Sequence, residues 1–219
     1  GDDLMAANEY NQEGYWEYNP VVNLNDKMLA FTGNRWYAPP FSVKTEMLLD
    51  TFGQEAKALV EKMDKSQKIW CWKDPRMAVL LPFWKRILAD RKIAYVVTYR
   101  NPLSVADSLK KRDAIPTNVS IAMWEFYTRS ILSGIQKEDQ IVFLEYKKML
   151  SQPEEASRNL FYFLNNKTGQ QKGQGLLKEM QEVIKPNLQH SIPLQDIFLD
   201  PSQQKLDSVL KQNNKLASY

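Results

Sequence analysis

The chain has 219 residues, a hydrophobic fraction of 43% and a formal net charge of +3. That length suits one sizeable domain. The mild, interspersed charge argues against a dedicated nucleic-acid binder, which concentrates its basic residues in a stripe. The one cysteine, Cys71, excludes an internal disulfide. No stretch nears the ~20 apolar residues of a membrane span, and no signal peptide is visible. A soluble, cytoplasmic protein is the expectation, with a lumenal domain stripped of its anchor as the alternative.

Residues 1–19 read as a polar loop with aromatic inserts. Pro20 opens a helix carrying Val21, Leu24, Met28 and Leu29, which ends near Gly33. A loop with Trp36, Pro39 and Pro40 precedes a helix over 43–64. The apolar run 69–72 predicts a short strand with Cys71 buried in it, and 77–91 a helix. A strand over 94–99, a helix over 102–112, a loop at Pro116 and a long helix over 119–136 follow. Residues 141–145 predict a third strand and 153–165 another helix. Beyond Lys167 the chain is polar and Gln-rich. There a helix over 175–184, a loop around Pro186 to Pro193 and a short terminal helix are expected. The alternation of strands and helices predicts a parallel sheet with helices on both faces, a three-layer α/β/α arrangement.

The segment 99–109 carries the most chemistry. An apolar strand ends at Arg100, Asn101 suits a helix N-cap, and Pro102 suits the first helical position. Leu103, Ala106 and Leu109 share one helix face, and Ser104, Ser108 and Arg112 share another. A guanidinium and a hydroxyl thus meet at the carboxyl edge of a sheet, where open α/β folds bind ligands. Arginine suits a phosphate because its fork donates two hydrogen bonds. The plain alternative is a solvated helix face beside a surface arginine.

Four stretches together resemble the sulfotransferases that use 3′-phosphoadenosine 5′-phosphosulfate (PAPS), in the bacterial branch acting on carbohydrates and other small hydroxylated acceptors. They are residues 8–17 with Gly14-Tyr15-Trp16-Glu17, Lys73-Asp74-Pro75-Arg76, the 100–112 segment, and Val142-Phe143-Leu144-Glu145-Tyr146 followed by Pro153. The resemblance covers roughly residues 1–165 and implies a P-loop nucleotide hydrolase-like fold. It also implies that Arg100 and Ser108 hold the 3′-phosphate and that Tyr146 lies near the adenine. The family's first strand and 5′-phosphosulfate loop have no counterpart here. Gly1 to Leu4 look like the region just downstream of that loop, so the expectation is a single domain over 1–219 without them.

Sulfuryl transfer needs a cation on the transferring group, a base for the acceptor hydroxyl and a clamp on the cofactor. Lys73, at the end of a predicted strand, matches a family position for the cation; otherwise it starts a loop and pairs with Asp74. Arg76 stands second, as a cofactor contact or a helix cap. For the base, the histidine of some branches is absent, and Glu17, then Glu13, occupies the place of the glutamate in others. Desolvation among aromatic side chains would favour such a base. The alternative is that both carboxylates stabilise the start of the Pro20 helix. His190, the only histidine, reads as a surface residue. One cysteine and one histidine give no zinc site of the usual type, and the chemistry requires no metal. Trp124 and Tyr127 read as core, while Trp16, Trp36 and Tyr37 in loops suit stacking on an acceptor.

The sequence therefore predicts a PAPS-dependent sulfotransferase moving a sulfonate to a hydroxyl, or less readily an amine, of a small or glycan acceptor. Two rivals remain open. One is a nucleotide or small-molecule kinase on the same fold; the other is a truncated, non-catalytic nucleotide-binding module.

Overall fold

In the computed structural model, which describes residues 3–9, 11, 14–39, 42–66, 69–168, 174–184 and 197–216, the chain is mixed α/β and mostly helical, with a small parallel sheet. By its internal contacts it divides into two compact units. The first comprises residues 1–91 with 126–135, and the second residues 92–125 with 136–219. No helix among the described residues is long and apolar enough to cross a membrane.

The first unit is built on α1 (Asn19–Phe31), α2 (Thr45–Ser66) and α3 (Met77–Ile87). Pro20 sits in the first turn of α1, where its missing N–H is harmless. The helix stops at Gly33, whose φ of +76° a side chain would resist. There Gly33 N–H donates to Ala30 O at 2.9 Å and Asn34 N–H to Leu29 O at 2.9 Å, a Schellman ending. Val21, Leu24 and Met28 recur on one face and are buried together with Leu48, Val60 and Phe83. Two ion pairs, Lys27–Glu55 and Arg86–Glu46, join α1 and α3 to α2 on the outside. The second half of α5 (Thr117–Gly134) also belongs here. Gly134 lets it lie close to α3, since a Cβ at that position would sit 2.8 Å from Leu81 Cδ2.

The second unit holds β1 (Ala94–Tyr99) and β2 (Gln140–Glu145), which pair in parallel with Ala94 opposite Gln140 and Tyr99 opposite Glu145. Val142, Phe143 and Leu144 are all buried, as in a strand covered on both faces. Between the strands runs α4 (Pro102–Asp113). After β2 come α6 (Tyr146–Ser151), α7 (Pro153–Thr168), α8 (Gln174–Val183) and α9 (Pro201–Leu216). Helix α9 packs on β2, burying Leu206 and Leu210.

Several expectations fail here. Residues 69–72 form no strand, and Cys71 is exposed rather than buried. The apolar run is real, but a strand exists only through ladder hydrogen bonds, and none is made there among the described residues. The described sheet accordingly has two strands, not three. Aromatic contacts shape that stretch instead: Trp72 lies 4.7 Å from Trp70 and 5.0 Å from Trp84, ring centre to ring centre. Helix α6 is not expected from the sequence pattern. It makes Tyr146 the first residue of a helix that starts directly where the strand ends. The helix predicted over 77–91 ends at Ile87. The loop expected around Pro186 to Pro193 lies outside the described residues.

Candidate functional site

The sequence-predicted residues gather in two places, one in each unit. In the first unit the aromatic loop is closed on itself. Met5 N–H donates to Glu17 O at 2.7 Å, and Asn19 N–H donates to Asp3 O at 2.8 Å. Gly14 and Trp16 both take left-handed backbone, with φ of +86° and +56°. The bend turns the Trp16 side chain outward, 64% exposed, and the Glu17 side chain inward, 6% exposed.

Glu17 meets cations there. Lys73 Nζ donates to Glu17 Oε1 at 2.7 Å and to the Tyr15 carbonyl at 3.1 Å. The Arg76 guanidinium lies 3.5 Å from Glu17 Oε2. One alternative and one expectation are thereby corrected. Lys73 pairs with Glu17 rather than Asp74, and Glu17 faces two cations rather than a cage of aromatic rings. The cause is Asp74, which turns back toward the core. Its Oδ1 accepts from the Arg76 backbone N–H and from Arg76 NH1, both at 2.9 Å, and its Oδ2 accepts from Asn25 Nδ2 at 2.8 Å.

Arg76 is buried and also donates to Asp26 Oδ1 at 2.6 Å, so three carboxylates surround its guanidinium. Burial pulls its pKa down, and Asp74 and Asp26 more than offset that, leaving it above the ordinary arginine value. The chain of bonds continues inward: Trp84 Nε1 donates to Asn25 Oδ1 at 2.8 Å. Buried polar groups held this way fix one arrangement of their neighbours. Sequence reasoning misses Asn25 and Asp26. The readable signal is Asn25 itself, a polar residue in phase with the apolar stripe of α1. Tyr127 is half-buried, and its hydroxyl donates to the Trp36 carbonyl at 2.7 Å. Burial raises its phenol well above the ordinary value.

In the second unit β1 delivers Arg100 and β2 delivers Tyr146, one residue past each strand end. The Arg100 guanidinium carbon lies 4.6 Å above the centre of the Tyr146 ring, a cation–π contact. Burial pulls the Arg100 pKa below the ordinary arginine value, with Tyr146 and Asp107 opposing. The Arg100 carbonyl accepts from Trp124 Nε1 at 3.2 Å. Asn101 caps α4 as expected, its Oδ1 accepting from the N–H groups of Leu103 at 2.9 Å and Ser104 at 3.3 Å. Ser104 is buried, and Ser108 is half-buried one turn further on the same face. Arg112, at the end of that stripe, is held by Asp113 at 2.7 Å. Trp124 is buried in this unit, as the core reading predicts.

Glu13 and His190 lie outside the described residues. Among the described residues no group of three His, Cys, Asp or Glu side chains could hold a metal ion. Chemically, the first cluster offers a carboxylate with an ammonium against it. The second offers a delocalised cation beside an aromatic face, at the start of a helix that carries hydroxyls. Searches against family models, curated proteins and solved structures found no match to this chain.

Proposed function

We propose that the protein is a PAPS-dependent sulfotransferase of three-layer, P-loop-like architecture, transferring a sulfonate to a hydroxyl of a carbohydrate or other small acceptor. The observation that carries this reading is the Arg100–Tyr146 pair at the carboxyl ends of two parallel strands. It stands just before a capped helix that places Ser104 and Ser108 on one face. A guanidinium and hydroxyls suit a phosphate monoester, and a phenol ring beside them suits a purine. In this reading Arg100 and Ser108 hold the 3′-phosphate and Tyr146 lies against the adenosine. Lys73 stabilises charge on the transferring sulfonate, and Glu17, or Glu13, accepts the acceptor's proton. Arg76 has a supporting role: fixed by Asp26 and Asp74, it helps to hold the Glu17 carboxylate in place. No metal is required.

Calorimetric titration with adenosine 3′,5′-bisphosphate, AMP and ATP tests the reading. The bisphosphate should bind most tightly, and Arg100→Ala should weaken it by ~1.5–3 kcal/mol, roughly tenfold to a hundredfold. AMP binding should change much less. Preference for ATP would favour the kinase. Equal binding of all three would remove the sulfotransferase reading.

A further inference from the structure

We infer that Trp16 recognises the acceptor, and that the acceptor presents the face of a six-membered ring, stacked on the exposed indole. The inference deepens the acceptor side of the proposed function and rests on that reading for the word acceptor.

Trp16 is poorly suited to its place in the free protein. Its φ of +56° lies in the left-handed region, which a residue with a Cβ resists and a bulky one rarely adopts. Its indole is 64% exposed, so burial returns little for the strain. Glycine would make the same turn without the strain. Strained conformations persist where the surroundings over-determine them, and they gather at ligand sites.

The surroundings here are specific. Lys73 grips the residues on both sides of Trp16, through the Tyr15 carbonyl at 3.1 Å and Glu17 Oε1 at 2.7 Å. The Met5 N–H holds the Glu17 carbonyl at 2.7 Å. The turn is therefore stapled from within, with the indole on its outer side. An ammonium has three donors, and these two acceptors use two. The Lys73 side chain is 56% exposed, so its charge reaches solvent at the same turn. An aromatic face takes the C–H face of a pyranose or a second aromatic ring. An ammonium held on the same turn suits an acceptor with oxygen substituents.

Trp16→Gly is the test, with thermal unfolding and nuclear magnetic resonance as readouts. Relief of the strain should leave the Tm unchanged or raise it by roughly 2–4 °C. A fall in Tm would make Trp16 a structural residue and overturn the inference. The indole N–H signal missing from the Trp16→Gly spectrum identifies Trp16. That signal should shift when the natural protein is titrated with methyl β-D-glucopyranoside or with 4-methylphenol. The first outcome marks a sugar acceptor, the second a phenolic one. No shift with either would overturn the inference. Bisphosphate calorimetry on the same samples separates the two claims. A ring-induced shift without bisphosphate binding sinks the sulfotransferase and keeps a ring-binding Trp16. Bisphosphate binding without the shift does the reverse.

Discussion

Asp74 is the residue on which the first cluster depends. Its side chain is fully buried and accepts three hydrogen bonds, two from Arg76 and one from Asn25. Removing a buried charge strands its partner, which costs more than the pair contributes. Asp74→Ala should therefore destabilise the protein by ~3–5 kcal/mol in urea unfolding. Asp74→Asn should also be costly, for a reason of geometry. Asn25 already accepts from Trp84 on its Oδ1, so its Nδ2 must point at position 74. An asparagine there keeps its oxygen for Arg76 and turns a second N–H₂ toward that of Asn25. The exchange Asn25→Asp with Asp74→Asn returns an acceptor to position 25 for both neighbours. It should recover part of the loss, and a double-mutant cycle measures how much. No recovery would mean that Asp74 acts through Arg76 alone.

Helix ends show what the sequence can and cannot say about elements. Pro20, Asn101 and Pro102 mark the starts of α1 and α4 because a cap or a missing N–H acts within one turn. The same logic applies to α9. Asp200 Oδ1 accepts from Gln203 N–H at 2.8 Å, and Gln203 Oε1 accepts from Asp200 N–H at 3.1 Å, a reciprocal capping box over Asp200-Pro201-Ser202-Gln203. The run 69–72 fails for the opposite reason, since strand formation depends on a neighbour that no local pattern reveals. Two helix ends make a paired prediction. Gly33 has φ of +76°, and no atom lies within 4 Å of the place a methyl group would take, so Gly33→Ala meets backbone strain alone. It should cost about 1 kcal/mol. Ala114 ends α4 at φ +54° and is exposed, so Ala114→Gly should gain ~0.4–1 kcal/mol. Opposite signs in thermal unfolding would verify the left-handed assignment at both ends; the same sign would refute it at one.

At the scale of the molecule, the strand-end position of Arg100 is legible in the sequence, because a β-branched run and a helix start bracket it. The partners of Lys73 are not, since those depend on where a buried Asp74 points. Nor are the buried phenols, whose depth is set by packing from several elements. Those phenols make a prediction for stability at alkaline pH. Burial, and then the charge of Asp139, pushes Tyr95 up to about 12. Tyr99 is raised further by burial, with Glu145 and Asp207 adding to it, and Tyr127 chiefly by burial. The unfolded chain loses these protons near the ordinary phenol value of 10.0, while the folded chain keeps them to higher pH. Above 10.0 the unfolded state therefore binds fewer protons, so stability is complete below that pH and falls as pH rises through the window to about 12. The slope approaches about 1.4 kcal/mol per pH unit for a fully buried phenol and is smaller for half-buried Tyr95. Phenylalanine substitutions separate two contributions. Tyr127→Phe loses the hydrogen bond to the Trp36 carbonyl and should cost about 1 kcal/mol at neutral pH. The Tyr99 hydroxyl is buried beside the Glu145 carboxylate, and no hydrogen bond of normal geometry reaches it among the described residues. Tyr99→Phe should therefore leave neutral stability intact or improve it, and should flatten the decline above pH 10.0. Urea unfolding of the natural protein and the two variants, at neutral pH and above 10.0, measures both terms. A slope unchanged by Tyr99→Phe would show that its phenol ionises alike in the folded and unfolded chains.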